Sequence, residues 1–90
     1  MSFVYILACA DDTLYIGSTP HLEKRLHEHN NLKKGAHYTK IRRPVILAYQ
    51  EEFETLSEAR KREVQLKKLS REAKLALISS APLKALRASI

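Results

Sequence analysis

Two short runs of β-branched and aromatic residues open the chain, and they constrain its fold more than any other feature. The runs are residues 3–8, FVYILA, and residues 13–18, TLYIGS, with CADD between them at 9–12. Aspartate favours turns because its short side chain can hydrogen-bond to the nearby backbone. Two strand-like runs on either side of a short turn predict a β-hairpin.

The length of the hairpin loop decides which side chains share a face, because side chains alternate along a strand. With a three-residue loop, Tyr5 lies opposite Gly17, so that Tyr5 and Tyr15 project to the same side. With a four-residue loop, the two tyrosines project to opposite sides. Ordinary β-propensity, with buried rings and hydroxyls in water, also explains both tyrosines when they are considered alone.

Downstream, capping residues and hydrophobic periodicity predict three helices and one more strand. The first helix is predicted over 20–30, with Thr19 as N-cap and Pro20 in the first helical position. A basic loop over 33–43 and a strand over 45–50 follow. The second helix, over 56–69, is opened by a Thr55–Glu58 capping box, and the third, over 71–79, is capped by Ser70. The order β-β-α-β-α-α predicts an α+β domain, a small three-stranded antiparallel sheet flanked by helices. We expect one domain over residues 1–80 and a C-terminal tail over 81–90.

Two polar side chains share the apolar stripe of the helix predicted over 20–30. At 100° per residue, Arg25 and His29 fall within about 60° of Leu22, whereas Glu28 points elsewhere. An arginine stem lying on the sheet and a histidine at the helix C terminus explain this pattern as well as a functional role does.

The helix predicted over 56–69 places a carboxylate, Glu63, on the same side as Ala59 and Leu66. For Glu63 alone, an i,i+4 salt bridge to Lys67 is the simpler explanation. Together, however, two tyrosines, an arginine, a histidine and a carboxylate on one layer of a sheet are the groups that phosphodiester hydrolysis requires. A carboxylate can hold Mg²⁺, an arginine can neutralise phosphoryl charge, and a phenol or imidazole can orient or deprotonate water.

The charge balance favours a polyanionic partner. The 90 residues carry 16 Lys and Arg against 10 Asp and Glu, a net charge of +6, and such a balance indicates nucleic acid first and an anionic membrane second. The segment 33–43 has five basic residues and no acid. Its basic and aromatic side chains are suited to phosphate contacts and base stacking, so we predict nucleic-acid-binding residues there. A solvated basic loop is the alternative. The predicted contacts are Lys34, His37, Tyr38, Lys40, Arg42 and Arg43.

The remaining composition indicates a cytoplasmic protein without a membrane partner. No apolar run approaches the roughly 20 residues of a membrane span, and the first residues lack the pattern of a secretion signal. Cys9 is alone in the sequence, so an internal disulfide is excluded, and we interpret it as a small strand or turn residue.

Several motifs resemble the GIY-YIG nuclease domain superfamily. They are VYI at 4–6, YIG at 15–17, an arginine ten positions after Tyr15 and a histidine fourteen positions after it. The segment EVQLKKLSREAK, at 63–74, is similar to the acidic-helix motif of that superfamily in the form typical of small stand-alone bacterial members. The resemblance covers residues 2–78.

This resemblance implies the fold derived above and a role for six residues. It implies that Tyr5 orients the attacking water, Tyr15 is the general base or its partner, Gly17 leaves room beside Tyr15, Arg25 stabilises the phosphate, His29 hydrogen-bonds within the site, and Glu63 is the one metal-binding carboxylate. The implied cofactor is a single Mg²⁺ or Mn²⁺ ion. The implied function is a metal-dependent endonuclease that cuts DNA rather than RNA, such as branched or damaged DNA in repair.

Two other functions remain open at this point. The first is a nucleic-acid-binding module that keeps the nuclease fold and cuts slowly or not at all, and the second is an interaction domain with incidental basicity. We expect a monomer, with a protein partner able to supply specificity. The chain also departs from the family pattern: the first half-motif lacks its glycine, Pro20-His21 stands where many relatives have asparagine, and 76–80 contains no asparagine.

Overall fold

The computed structural model describes residues 1–31 and 37–80, and for His37 the backbone alone. Within these residues the elements are β1 (Ser2–Cys9), β2 (Leu14–Thr19), α1 (Leu22–Asn31), α2 (His37–Lys40), β3 (Val45–Phe53), α3 (Leu56–Lys67) and α4 (Arg71–Ser80). The α+β class and the predicted order are confirmed, with the short helix α2 added inside the segment predicted as a loop. The predicted tail, 81–90, lies outside the described residues. No helix in the described ranges is long and apolar enough to cross a bilayer.

The three strands form one antiparallel sheet with β1 in the centre, in the order β2-β1-β3. Tyr5 pairs with Gly17, and Leu7 pairs with Tyr15. This is the register of the three-residue loop, in which Asp12 adopts a φ of 67°, a left-handed conformation that aspartate tolerates better than most residues. Tyr5 and Tyr15 therefore project to the same face of the sheet.

The N termini of α3 and α4 follow their predicted capping residues, whereas that of α1 does not. The strand predicted over 45–50 extends to Phe53, and the helix predicted over 56–69 ends at Lys67. The Thr55–Glu58 capping box is formed in both directions, and Ser70 accepts a hydrogen bond from a backbone N–H of α4, as predicted. The prediction for α1 was wrong by two residues, because the Thr19 hydroxyl accepts from the backbone N–H of His21. That contact makes Pro20 part of a turn, and the helix begins after it.

Helices cover both faces of the sheet, and each face has its own core. On the face covered by α3 and α4, the buried cluster is Val4, Ile6, Ile16, Tyr49 and Leu66. On the face covered by α1 and α2, it is Tyr5, Leu7, Cys9, Val45 and Leu47, with Tyr15, Leu22, Leu26 and Tyr38 packed against it. The expectation that all the candidate groups face one layer is therefore wrong for Glu63, because α3 lies across the opposite face from α1.

Candidate active site

Gly17 gives the Tyr5 side chain room to reach across β2. A Cβ atom on Gly17 would lie 2.5 Å from the Tyr5 hydroxyl oxygen and 2.7 Å from its Cζ. A real Cβ atom does not lie that close to a non-bonded neighbour, so any side chain at this position would displace the phenol. The resemblance implied that this glycine leaves room beside Tyr15, but in the structure the Tyr5 ring takes up that room.

His29 is fully buried between two hydroxyl groups. Its Nε2 lies 2.8 Å from the Tyr5 hydroxyl, and its Nδ1 lies 2.7 Å from Thr39 Oγ1. Burial, followed by the positive charge of Arg25, lowers the pKa of His29 to about 4, against the opposing effect of Glu28. The imidazole is therefore neutral at pH 7, with one nitrogen that donates and one that accepts.

Arg25 lies between a carboxylate and a phenol. Its Nη1 is 2.9 Å from Glu28 Oε1, and its guanidinium lies close enough to the Tyr5 hydroxyl to lower the pKa of that phenol. The Arg25 side chain remains 28% exposed, so an anion can approach it. Glu28 is only 8% exposed, although the helical projection pointed it away from the stripe. The i,i+3 spacing of the two residues is the sequence signal that could have found this pair.

Tyr5 is held as a neutral phenol. Burial, then the neighbouring Tyr15 and the more distant Glu63, raise the pKa of Tyr5 well above its usual value, and Arg25 opposes them only in part. The side chain is 2% exposed. Tyr5 therefore acts as a hydrogen-bonding group that keeps its proton at neutral pH.

Tyr15 belongs to a row of neighbouring aromatic rings that ends at a guanidinium. Its ring meets His29 edge-on, with 5.1 Å between centroids, and lies 5.8 Å from the ring of Tyr38. The Arg42 guanidinium lies 3.8 Å from the Tyr38 ring centroid, a cation–π contact, and pairs with Asp11 at 2.9 Å. The row fixes the plane of the half-buried Tyr15 ring.

Arg43 closes the C-terminal end of α1. Its Nε donates to the backbone oxygen of His29 at 2.6 Å, and its Nη2 donates to that of Glu28 at 3.2 Å. A cation at this end satisfies helix carbonyls that lack intrahelical partners. The side chain of Asn30 adds a two-way bridge to the backbone of Val45, at 2.7 and 3.0 Å. The residues that carry His29 are thus tied to the start of β3.

The residues predicted to contact nucleic acid divide into three groups. Arg42, Arg43 and Tyr38 have the contacts within the fold that are given above, and Lys40, at the end of α2, is half-buried. Lys34 and the side chain of His37 lie outside the described residues. The structure therefore brings Tyr38 and Arg42 to the candidate site through Tyr15.

Glu63 stands apart from this cluster, on α3. Its Oε1 accepts from the Ser18 hydroxyl at 2.5 Å, and its Oε2 lies 2.7 Å from Lys67 Nζ. The salt bridge considered as the simpler explanation is therefore present. The negative charge of Glu63 also contributes to the raised pKa of Tyr5, so the carboxylate acts on the α1 face from across β2.

Glu63 suits only one kind of metal ion. Among the described residues, no group of three or more His, Cys, Asp or Glu side chains could hold a metal ion. A structural or catalytic zinc ion needs such a group. Mg²⁺ keeps most of its waters and binds through one or two carboxylates plus phosphate oxygens, which a single glutamate can satisfy. The donor set thus fits a hydrated Mg²⁺ or Mn²⁺ ion at Glu63.

Family comparison agrees with this arrangement of a paired-tyrosine hairpin, an Arg-His helix and a glutamate helix. Residues 1–76 match the family model of the GIY-YIG catalytic domain. The chain therefore belongs to the GIY-YIG family.

Its relatives narrow the family to a group of small bacterial proteins. A UPF0213 protein of Syntrophus aciditrophicus (strain SB) is 56% identical over 81 residues, which cover 90% of this chain and 93% of that protein. The UPF0213 protein SSP2268 of Staphylococcus saprophyticus is 56% identical over 77 residues, covering 86% and 93%. The resemblance to small stand-alone bacterial GIY-YIG proteins is confirmed.

Solved structures agree with the fold. The solution NMR structure of the UPF0213 protein BH0048 from Bacillus halodurans is 39% identical, with a TM-score of 0.56, and covers 88% of this chain and 84% of that one. The solution NMR structure of the protein EF2693 from E. faecalis is 43% identical, with a TM-score of 0.58, and covers 88% and 85%.

Proposed function

We propose that this protein is a divalent-metal-dependent endonuclease that hydrolyses phosphodiester bonds in DNA. The observation that carries the proposal is the hydrogen bond of His29 to the Tyr5 hydroxyl, beside the charge of Arg25 and on the face that also bears Tyr15. A buried, neutral hydrogen-bonded group next to a partly exposed guanidinium is preorganised to receive a phosphate. Membership of the GIY-YIG family supports the same reaction class.

Each side chain then has a role set by its exposure. Arg25, held by Glu28, binds a non-bridging phosphate oxygen and opposes the charge that builds up there. Tyr15 is the half-buried phenol of the pair and orients the attacking water, acting as base or base partner. Tyr5 and His29 are buried, and they hold the Tyr15 ring in place. A divalent cation bound at Glu63 would supply further positive charge for the phosphate and acidify bound water.

The net charge of +6 supports a polyanionic substrate held through its backbone. Phosphate contacts position a nucleic acid without reading its sequence. Recognition would then rest on DNA structure, such as branches or damage, or on a protein partner. The residues proposed for these contacts are Lys34, His37, Tyr38, Lys40, Arg42 and Arg43.

A second function, a nucleic-acid-binding module with little or no catalysis, is favoured by one observation. Both oxygens of Glu63 already have protein partners, the Ser18 hydroxyl and the Lys67 ammonium. A carboxylate engaged in this way is a weaker metal ligand than one that faces water. The two functions differ only in whether a metal ion displaces Lys67.

The deciding experiment is cleavage of supercoiled, single-stranded and four-way-junction DNA by the purified protein with Mg²⁺, Mn²⁺ or EDTA. We expect metal-dependent cleavage that falls by at least about 100-fold in Glu63→Gln and in Tyr15→Phe, since each variant removes one group of the reacting centre. Glu54→Gln, which changes an exposed carboxylate outside the site, should leave the rate within about twofold.

Cleavage that persists in both site variants would identify a contaminating nuclease. Retarded gel migration of the DNA without any cleavage would support the binding module instead. Neither binding nor cleavage would contradict both functions and leave the interaction domain.

A further inference from the structure

Thr39 is a buried hydroxyl that the roles above do not use. It lies in α2, within the basic segment of the chain, yet it is 0% exposed. Its Oγ1 is 2.7 Å from Nδ1 of His29, ten residues earlier, which is also 0% exposed. A hydrogen bond between two fully buried side chains fixes the imidazole at the nitrogen opposite Tyr5.

The positions of the protons follow from the donors around Tyr5. The nearby Arg25 guanidinium has only donors and acts on the pKa of the Tyr5 hydroxyl, so the Tyr5 oxygen turns its lone pairs, not its hydrogen, toward Arg25. The hydrogen of the phenol then needs an acceptor, and His29 Nε2 lies beside it at 2.8 Å. A neutral imidazole that accepts at Nε2 carries its proton on Nδ1, and Thr39 Oγ1 is in place to accept a hydrogen bond from that N–H.

We propose that Thr39 is a positioning residue, whose hydroxyl oxygen accepts a hydrogen bond from Nδ1–H of His29 and so keeps Nε2 as the acceptor of the Tyr5 hydroxyl. Its catalytic consequence rests on the nuclease function proposed above. The two hydrogen bonds run in one direction, from Tyr5 to His29 and from His29 to Thr39. The Nδ1 anchor thus fixes, through the imidazole, the direction in which the Tyr5 hydroxyl points beside Arg25.

Thr39 lies in the same short helix as two residues proposed to contact nucleic acid. Its neighbours in α2 are Tyr38, whose ring lies 5.8 Å from that of Tyr15, and Lys40, a proposed nucleic-acid contact. The same short helix therefore carries groups proposed to meet the substrate and the group that sets the state of His29.

The inference is tested by the ¹⁵N chemical shifts of the His29 imidazole, measured at pH 7 in the wild-type chain without metal or nucleic acid. We expect a protonated Nδ1 and an unprotonated Nε2. A wild-type ring protonated at Nε2 overturns the proposal without the need for any variant. Since this reading is independent of cleavage, failure of the nuclease proposal and failure of this inference remain distinguishable.

Substitution then tests Thr39 itself. Thr39→Val keeps the shape of the side chain and removes the hydroxyl that accepts from His29. The tautomer of His29 protonated at Nδ1 should then no longer predominate. Thr39→Ser restores the hydroxyl and should restore the wild-type shifts. Where cleavage is measurable, we expect it to fall by about 10-fold or more in Thr39→Val and to recover in Thr39→Ser, as for other residues that orient a functional histidine through its second nitrogen.

Thr13→Val is the matched control, because it removes a hydroxyl bonded to Asp11 in the hairpin turn, away from His29. It should leave the His29 shifts unchanged. A folded Thr39→Val protein with wild-type His29 shifts would contradict the positioning role. If Thr39→Val does not fold, Thr39→Ala provides the same reading, with retained shifts again contradicting it.

Discussion

The two faces of the sheet contribute different kinds of residue to the candidate site. On the α1 face, Tyr5 and His29 are almost completely buried, and each has a hydrogen-bond partner within the fold. On the α3 face, Glu63 meets Lys67, whose side chain is 55% exposed. The site residues of the α1 face are therefore rigidly held and the ion pair on the α3 face is adjustable, which is what a fixed phosphate-binding cluster beside an exchangeable cation would require.

The largest effect should come from protonating His29 on the α1 face. Its pKa is 6.5 in an ordinary setting and about 4 in the folded protein, so protons bind the unfolded chain more strongly. Its contribution to stability is therefore complete above pH 6.5 and is lost as the pH falls toward 4, by about 3 kcal/mol in all. The groups that act on its charge are Arg25, Glu28 and Arg43.

Urea unfolding between pH 7 and pH 4 measures this effect. The free energy of unfolding of the wild type should fall by about 3 kcal/mol more than that of His29→Gln over that interval. The carboxylates titrate in both proteins, so their contribution cancels in the difference. His27→Gln changes an exposed histidine of the same helix and should keep the wild-type pH dependence. Parallel curves for wild type and His29→Gln would show that burial of His29 does not matter to folding.

The next largest effect should come from adding a methyl group at Gly17. Gly17→Ala places a Cβ on the Tyr5 hydroxyl, and the phenol must move away from His29, at a cost of about 2 kcal/mol. Ser18→Ala, one residue along on the other face, should leave the NMR signals of the His29 ring unchanged. An alanine variant with wild-type stability and wild-type His29 signals would mean that Tyr5 is not held against the strand.

The smallest effect tests the ion pair on the α3 face. Removing the ammonium in Lys67→Gln should strengthen Mn²⁺ binding at Glu63 by about fivefold, because the metal ion no longer competes with a salt bridge worth about 1 kcal/mol. The measurement is the broadening of the Ser18 and Glu63 amide signals by Mn²⁺. Lys68→Gln, the exposed neighbour, should change nothing. Equal or weaker binding in Lys67→Gln would show that Lys67 assists the ion.

Local patterns in the sequence predicted a large part of the fold. The hairpin register was left open between two loop lengths, and the left-handed Asp12 decides it. The Thr55–Glu58 capping box involves four consecutive residues, so its prediction needed no tertiary information. The helical projection of α1 correctly placed His29 toward the sheet, because the stripe of a single helix shows which side faces a core.

The sequence did not predict the contacts that come from another segment. The burial of Glu28 was missed because α1 alone does not show that Arg43 covers its end. Thr39 was missed because four helical residues in a basic segment give no periodic signal. Glu63 was predicted to face inward, but the stripe of a helix does not say which face of the sheet it packs against.

Because Tyr5 and Gly17 are in close contact, the residues tolerated at one position depend on the residue at the other, although the two lie on different strands of the hairpin. While the phenol lies across β2, position 17 accepts no larger residue; once a smaller residue replaces Tyr5, the same site becomes a gap that a methyl group would fill. Either substitution alone is harmful, but the pair together is tolerable to the fold. A related sequence can therefore lose the buried hydroxyl of Tyr5 and keep the hairpin if both positions are substituted together.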